Sequence, residues 1–347
     1  MNKIIKDKSI LEKNIYNNII NNNCIEDNDN ILIAVSGGSD SMMLLNYLYT
    51  FKDIFKNESN IKYNIAVAHV NHLLREESLE EMEYVEQFCL NRNIKFFKLE
   101  VDINKLCKQK NLGTEECARK VRYKFFNDIC NEYGYNKIAL AHNNNDNVET
   151  ILLNIIRGSG TKGLCGIQYK FENLIRPLIE ISKENINNYC ELNNIKYYID
   201  KSNFENNYTR NKVRNKLIPY LKEEYNNNFE EAIIRLSQIV RLDEDFFDNH
   251  TEELIKKYII NETDNEIIIN FKNLINEHES IKNRIIRKII YKLLNNVDGV
   301  EKIHVKDIIK LLESNITNKK FILGNKFTVI ITKKNTAKFK TNLSNKF

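Results

Sequence analysis

The chain of 347 residues is long enough for two or three domains, and its 42% hydrophobic and 10% aromatic content excludes a wholly disordered protein. With 2 prolines and 10 glycines it favours long regular elements over a loop-rich all-β fold, and a formal charge of +5 permits a polyanionic partner without requiring one. Its 7 scattered cysteines, none in a CxxC pair, argue against a disulfide framework or a Cys-based zinc site, and the lack of a signal-type N-terminus or a long apolar run predicts a soluble, cytoplasmic protein with no membrane contact.

Residues 1–29 read as an amphipathic helix followed by the polar linker NNNCIEDNDN. From residue 30 to about 200, short apolar runs alternate with helical patterns. Strands are expected at Ile31–Val35, Ile65–Val70, Lys95–Val101, Lys137–Ala141, Leu174–Leu178 and Lys196–Ile199, with helices at 77–92, 115–132, 146–156 and 182–193. That alternation predicts an α/β fold with a doubly wound parallel sheet. Beyond 205 the pattern turns α-rich, with nearly continuous helix over 211–260 and further helices at 274–295 and 301–313. The alternating tail predicts a small β-hairpin with Gly324-Asn325 near its turn. The domains expected are thus an N-terminal helix and linker (1–29), a catalytic domain (30–205) and a C-terminal region (206–347).

Between the first strand and its helix lies Ser36-Gly37-Gly38-Ser39-Asp40-Ser41. In an open α/β sheet, ligands bind where strands end and helices begin, and a helix N-terminus offers free N–H groups to phosphate. The glycines allow close approach of the backbone and positive φ, and the serines add hydroxyl donors. Asp40 alone would repel a phosphate, which makes sense if a Mg²⁺ sits between the two. No Lys follows the glycines, so the loop is not a Walker A motif. An ordinary capped βα turn accounts for the same residues equally well on physics alone.

SGGSDS after a strand resembles the PP-loop of the N-type ATP pyrophosphatases, which cleave ATP to AMP and pyrophosphate. Four further stretches narrow the resemblance. HVNHLLREES carries His69, Asn71, His72, Leu74 and Arg75 after the second strand, and EECARKVRY sets Arg119 and Arg122 on one helix face. AHNNNDNVETILLNIIRGSGTKGLCGI runs from a strand end through Asp146 and Glu149 to Arg157, and RNKVRNKLIP places Arg210 and Arg214 one helical turn apart. In this order the set resembles the tRNA(Ile) lysidine synthetase family over roughly residues 30–220. The C-terminal part agrees more loosely, its last hairpin looking like a shortened form of the family's terminal domain.

The resemblance implies an ATP- and Mg²⁺-dependent ligase acting on free L-lysine and the wobble cytidine of tRNA(Ile) with a CAU anticodon, through an adenylated cytidine. It places the ATP phosphates on Ser36–Ser41 with Asp40 at the metal, His69 beside the nucleotide, and Asp146 and Glu149 at lysine ammonium groups. Arg119, Arg122, Arg157, Arg210 and Arg214 are shared, undivided, among lysine, ATP and tRNA, with Arg119 and Arg210 also expected in catalysis. The basic helix 206–222 and the C-terminal region would grip the tRNA, and a homodimer is compatible with this picture. One departure stands out: the family often carries AHHxDDxxET, and here Asn143 and Asn145 replace a His and an Asp. Position 145 is expected to point away as a neutral cap, so that Asn145→Asp would be silent.

Each motif also has a purely structural explanation. Taken alone, His69 and His72 read more readily as half-buried strand-end residues, the arginine pairs as solvated helix faces, and Asp146 with Glu149 as a D-x-x-E helix start. Their recurrence beside one phosphate loop favours a shared site. Among other functions, a tRNA thiolase would need paired cysteines, an amidotransferase an additional ammonia-generating domain, and a non-catalytic tRNA-binding relative would release no pyrophosphate.

Overall fold

A computed structural model describes residues 2–73, 77–110, 113–198 and 209–342. They form two compact units, residues 1–240 and 241–347.

The first unit is built on six strands: β1 (Asp29–Ala34), β2 (Tyr63–Asn71), β3 (Lys95–Glu100), β4 (Lys137–Ala139), β5 (Lys170–Phe171) and β6 (Leu174–Ile175). Their order is β3-β2-β1-β4-β6-β5, and every neighbouring pair is parallel except β5–β6. The strand order reverses direction between β1 and β4, which is the position where open α/β sheets bind ligands beyond their strand ends.

Its helices are α1 (Asn2–Asn21), α2 (Ser39–Thr50), α3 (Lys52–Ser59), α4 (Glu77–Leu90), α5 (Ile103–Lys110), α6 (Thr114–Tyr133), α7 (Asn144–Ile156), α8 (Thr161–Leu164), α9 (Lys183–Leu192), α10 (Thr209–Lys212) and α11 (Ile218–Glu224). The two-residue period of β1 assigns its side chains to two cores. Ile31 and Ile33 meet Ile15 and Ile19 of α1, Leu44 and Leu48 of α2, Val85 of α4 and Tyr189 of α9. Leu32 meets Phe126 and Ile129 of α6 on the other face. With both faces covered, Ile31–Ala34 of β1 and Ile65–Ala68 of β2 are continuously apolar, whereas the edge strand β3 keeps Lys95, Lys98 and Glu100.

The expected strand at Lys196–Ile199 does not form. The parallel series already ends at β6, whose outer edge is taken by the short hairpin partner β5. Lys196–Tyr198 instead runs irregularly across the loop after β1, where the Tyr198 N–H donates to Gly37 O at 3.0 Å. Ile199 lies outside the described residues, as does the expected boundary between 205 and 206. The continuous helix expected over 211–260 is widened once and broken once. A wider π-helical turn occupies Val213–Leu217, and the Asn-rich stretch 225–228 separates α11 from α12 (Phe229–Tyr258).

The division between the units falls within α12. In the second unit five antiparallel strands, β7 (Ile259–Glu262), β8 (Glu266–Asn270), β9 (Lys320–Leu323), β10 (Phe327–Lys333) and β11 (Thr336–Thr341), stand in the order β7-β8-β11-β10-β9. The turn at Gly324-Asn325 joins β9 to β10 as expected, but the hairpin is part of a larger sheet. Ile259 and Ile260, expected to end a helix, open β7 instead. Helices α13 (Glu279–Leu294) and α14 (Lys302–Ser314) pack Ile285, Ile289 and Ile308 onto Ile267, Ile269, Val329 and Phe339. No described helix is long and apolar enough to cross a membrane.

Candidate active site

Beyond β1, Gly37 takes φ +86°, a left-handed conformation that costs a side-chain-bearing residue energy. The turn is tied by its own serines: Ser41 Oγ accepts from the Ser36 N–H at 3.1 Å and donates to Gly38 O at 3.0 Å. Helix α2 starts on Gly38 with no side-chain cap, so the N–H groups of its first turn remain available to an anion at the switch point of the sheet. Asp40, in that first turn, accepts from Asn143 Nδ2 at 3.1 Å and from Lys183 Nζ at 2.7 Å. Lys183 Nζ also reaches Ser39 Oγ at 2.9 Å.

Asn143 links this loop to α7. Its side chain accepts from the Asp146 N–H at 3.0 Å while Asp146 Oδ2 accepts from the Asn143 N–H at 3.1 Å, a reciprocal capping box. The helix start is therefore Asn143 with Asp146, not Asp146 with Glu149. Capping explains half of Asp146 and none of Glu149. Glu149 lies one turn further in, its side chain 1% exposed, and accepts from Arg210 Nε at 2.6 Å and Arg214 Nε at 2.5 Å. Asp146 Oδ1 accepts from Nη2 of the same two arginines at 3.0 and 3.2 Å. Two carboxylates and two guanidinium groups thus form one closed cluster. Beside it opens a cavity of about 520 Å³ lined by Asn145, Arg214, Ile218, Lys222 and Glu230.

Asn145 is neither a cap nor idle. Its Oδ1 accepts from the Lys183 N–H at 3.0 Å and its Nδ2 donates to Glu230 Oε1 at 2.7 Å, which corrects the expectation that an aspartate there would go unnoticed.

His69 is 3% exposed, with Nδ1 2.9 Å from Val35 O; burial depresses its pKa, and it forms the wall below the loop. His72 Nδ1 and His142 Nδ1 are buried without a hydrogen-bond partner. Burial pushes the pKa of His142 down to about 4 against the opposing pull of Asp146, with Arg176, Arg210 and Arg122 adding to the depression. His72 is depressed by burial and then by Arg122. Arg122 is thus close enough to act on the histidines at the ends of β2 and β4; it is exposed, as is Arg119 one turn earlier on α6, whose guanidinium lies over the Tyr123 ring at 5.0 Å. Arg157 is not brought into the cluster: it is exposed at the far end of α7, about 12 Å along the axis from Glu149. Leu74 and Arg75 lie outside the described residues.

Among the described residues no group of three or more His, Cys, Asp or Glu is arranged to hold a metal ion. A lone carboxylate at a phosphate cradle still suits Mg²⁺, which is commonly held by one or two carboxylates together with phosphate oxygens and waters. Asp40 has that placement.

A family model described as the PP-loop domain matches residues 8–221. A tRNA(Ile)-lysidine synthase from Clostridium tetani is 39% identical over 299 residues, covering 86% of this chain and 62% of the relative. One from Clostridioides difficile is 35% identical over 327 residues, covering 92% of this chain and 70% of the relative. The chain belongs to the tRNA(Ile)-lysidine synthase family of PP-loop proteins. It spans a little under two-thirds of the length of several of these lysidine synthases, 62% of the C. tetani protein and 66% of one from Clostridium perfringens. Among solved structures, the U34-tRNA thiolase NcsA from Methanococcus maripaludis shares the fold, with a TM-score of 0.53, 16% identity and coverage of 67% of this chain and 80% of that one.

The motifs in the sequence leave out Lys183 and give no sign of the linking role of Asn143. Lys183 carried a signal: it opens a helix behind the Ser182 cap, where the dipole disfavours a cation.

Proposed function

We propose that the chain joins free L-lysine to C2 of the wobble cytidine in the CAU anticodon of tRNA(Ile), using ATP and forming lysidine. The observation that carries this is the junction of an uncapped phosphate loop at the sheet's switch point with an acidic pair on the next strand's helix, bridged by Asn143. ATP adenylates the C2 oxygen of cytosine and pyrophosphate leaves. The lysine ε-amine, deprotonated from a reference pKa of about 10.4, then attacks C2 and expels AMP.

In this reading Ser36–Ser41 hold the ATP phosphates and His69 supports that wall. Mg²⁺, when bound at Asp40, would offset charge developing on the pyrophosphate. Asp146 and Glu149 take the ammonium groups of lysine, which requires lysine to exchange with the guanidinium groups of Arg210 and Arg214. Arg122, beside the depressed His72 and His142, would take a carboxylate, together with Arg119 one turn before it on the same helix. Arg210 and Arg214, once released, and Arg157 at the far end of α7 are assigned to RNA phosphates, and residues 206–347 to the tRNA body.

A thiolase reading is disfavoured by the cysteine that touches the loop. Cys190 Sγ donates to Ser39 O at 3.5 Å, and burial pushes its pKa up to about 12, the reverse of a reactive thiolate. The test is pyrophosphate release with each of ATP, lysine and tRNA left out in turn. Release that needs tRNA bearing a CAU anticodon supports the proposal, and release indifferent to tRNA counts against it.

A further inference from the structure

Gly37 and Gly38 stand together in the loop after β1, and a peptide flanked by two glycines turns over at little cost. The peptide is trans, so its C=O and its N–H point to opposite sides. Whichever side takes the Gly37 oxygen decides which side receives the Gly38 N–H. We propose that Tyr198 is a positioning residue of this loop: its backbone N–H holds the Gly37 oxygen outward and keeps the Gly38 N–H turned into the anion cradle. The inference rests on the nucleotide-binding reading of the loop and extends it to a strap outside the loop's own sequence.

Three features support it. First, the Tyr198 N–H donates to Gly37 O at 3.0 Å. The other bonds of the two glycines, among the described residues, come from the loop itself and the start of α2: Ser41 Oγ and the Met42 N–H donate to Gly38 O. The Gly38 N–H reaches Ser36 Oγ at 3.4 Å, long enough for a phosphate oxygen to displace it. Second, the strap is anchored. Ile195 and Tyr197 turn into the core of the first unit, whereas Lys196 and Tyr198 face outward. Lys196 Nζ lies 4.8 Å from the centre of the Tyr198 ring and 5.8 Å from that of Tyr84 on α4, and the two rings meet edge to face at 6.0 Å. The same helix backs the other side of the loop, with Glu81 Cβ 3.5 Å from where a Cβ of Gly37 would stand. Third, Lys196–Tyr198 pairs with no described strand, so its bond to Gly37 is not a by-product of a sheet ladder.

The consequence is electrostatic. Held this way, the Gly38 N–H joins the uncapped N–H groups at the start of α2 in facing a phosphate. Turned over, the same peptide would present the Gly37 oxygen, whose partial negative charge repels the ligand. Tyr198 makes that choice without touching the nucleotide.

Titration calorimetry with inorganic pyrophosphate and with Mg·ATP, on the full chain without tRNA or lysine, tests this apart from turnover. Tyr198→Pro deletes the N–H and keeps an extended backbone, and it should weaken pyrophosphate binding by about tenfold, the worth of one hydrogen bond. Tyr198→Ala keeps the N–H and loses the ring, and it should cost about twofold. Unchanged pyrophosphate affinity in a folded Tyr198→Pro would overturn the proposal, even with a lower melting temperature, because a strap that only supports the fold gives that result. A loss in Tyr198→Ala equal to that in Tyr198→Pro would overturn it as well. Hydrogen exchange gives a second reading on the parent chain. By linkage, saturating pyrophosphate should slow exchange of the Tyr198 amide by about tenfold, beyond any change at the amides of β10 in the second unit. An unchanged Tyr198 amide in a chain that binds pyrophosphate would contradict the proposal. A parent that binds neither pyrophosphate nor Mg·ATP would instead overturn the nucleotide reading of the loop, and the role of Tyr198 with it.

Discussion

Replacing Glu149 with Gln removes the one fully buried charge of the four-residue cluster. Breaking a buried ion pair from one side costs about 3–5 kcal/mol when the partner is left buried. Here the discount is substantial, because the arginine side chains are 33% and 36% exposed and Asp146 still holds both, at 3.0 and 3.2 Å. Gln also keeps one acceptor for a guanidinium N–H. A net loss of about 2 kcal/mol remains, or about 4–8 °C in melting temperature for a unit of this size. Because the carboxylate is 1% exposed, raising the salt should change that difference little. The expected result is a lower melting temperature by calorimetry together with a higher lysine KM and a nearly unchanged ATP affinity. A melting temperature within about 1 °C of the parent, with normal lysine kinetics, would refute both the buried cluster and the lysine assignment.

Asp40→Ala should lower lysine- and tRNA-dependent pyrophosphate release by about a hundredfold or more while melting near the parent, since its ion pair is half exposed; near-normal turnover would remove its metal role. Asn145→Asp should destabilise by about 1–2 kcal/mol, because an aspartate would set two carboxylates face to face across the 2.7 Å contact to Glu230. The added change Glu230→Gln should recover most of that loss in a melting experiment, and no recovery would mean the contact is not the cause. For tRNA, affinity should fall steeply with salt and fall further on truncation. The cut belongs after Val240, since Ile233 and Ile234 pack on the cluster of Val148, Leu152 and Val213. A folded truncated chain with full tRNA affinity by filter binding would shift RNA recognition to the first unit. The pKa of His142 is about 4 in the folded chain against an unfolded value near 6.5, so the unfolded state binds the extra proton between these values. Stability should be level above about pH 6.5 and fall toward pH 4, by on the order of 3 kcal/mol at most from this group. His69 and His72 act in the same direction. A His142→Asn variant with an unchanged slope of melting temperature against pH would contradict its burial.

The parallel sheet was legible because β-branched runs such as ILIA, bounded by polar turns, leave little alternative once both faces must be covered. The second unit was harder. Its helices showed a repeating apolar stripe, as at Ile281, Ile285 and Ile289, but β7 follows directly on α12 with no Gly or Pro to punctuate the change. Lys196–Tyr198 looked like a strand because a short run rich in aromatic and β-branched residues does not reveal that the sheet edge beyond β6 is already filled. In the site, the loop and the acidic pair were readable as local patterns. The pairing of Glu149 with Arg210 and Arg214, and of Asp40 with Lys183, joins residues 61 to 143 positions apart, and no local spacing encodes such contacts. Asn143 and Asn145 looked like losses against the family pattern. Their amides instead make bonds that a His and an Asp would make differently, one to Asp40 and the other to Glu230.

The central claim is lysine transfer to one base, and labelled lysine measures it most directly. The full chain is incubated with Mg·ATP, labelled lysine and a tRNA(Ile) transcript with a CAU anticodon, alongside the same transcript carrying uridine at the wobble position, and label retained on the RNA is counted. Label on the first RNA only, dependent on ATP and sharply reduced by Asp40→Ala, is the result predicted. Label on neither RNA by a folded, ATP-binding chain, or on both equally, would contradict it.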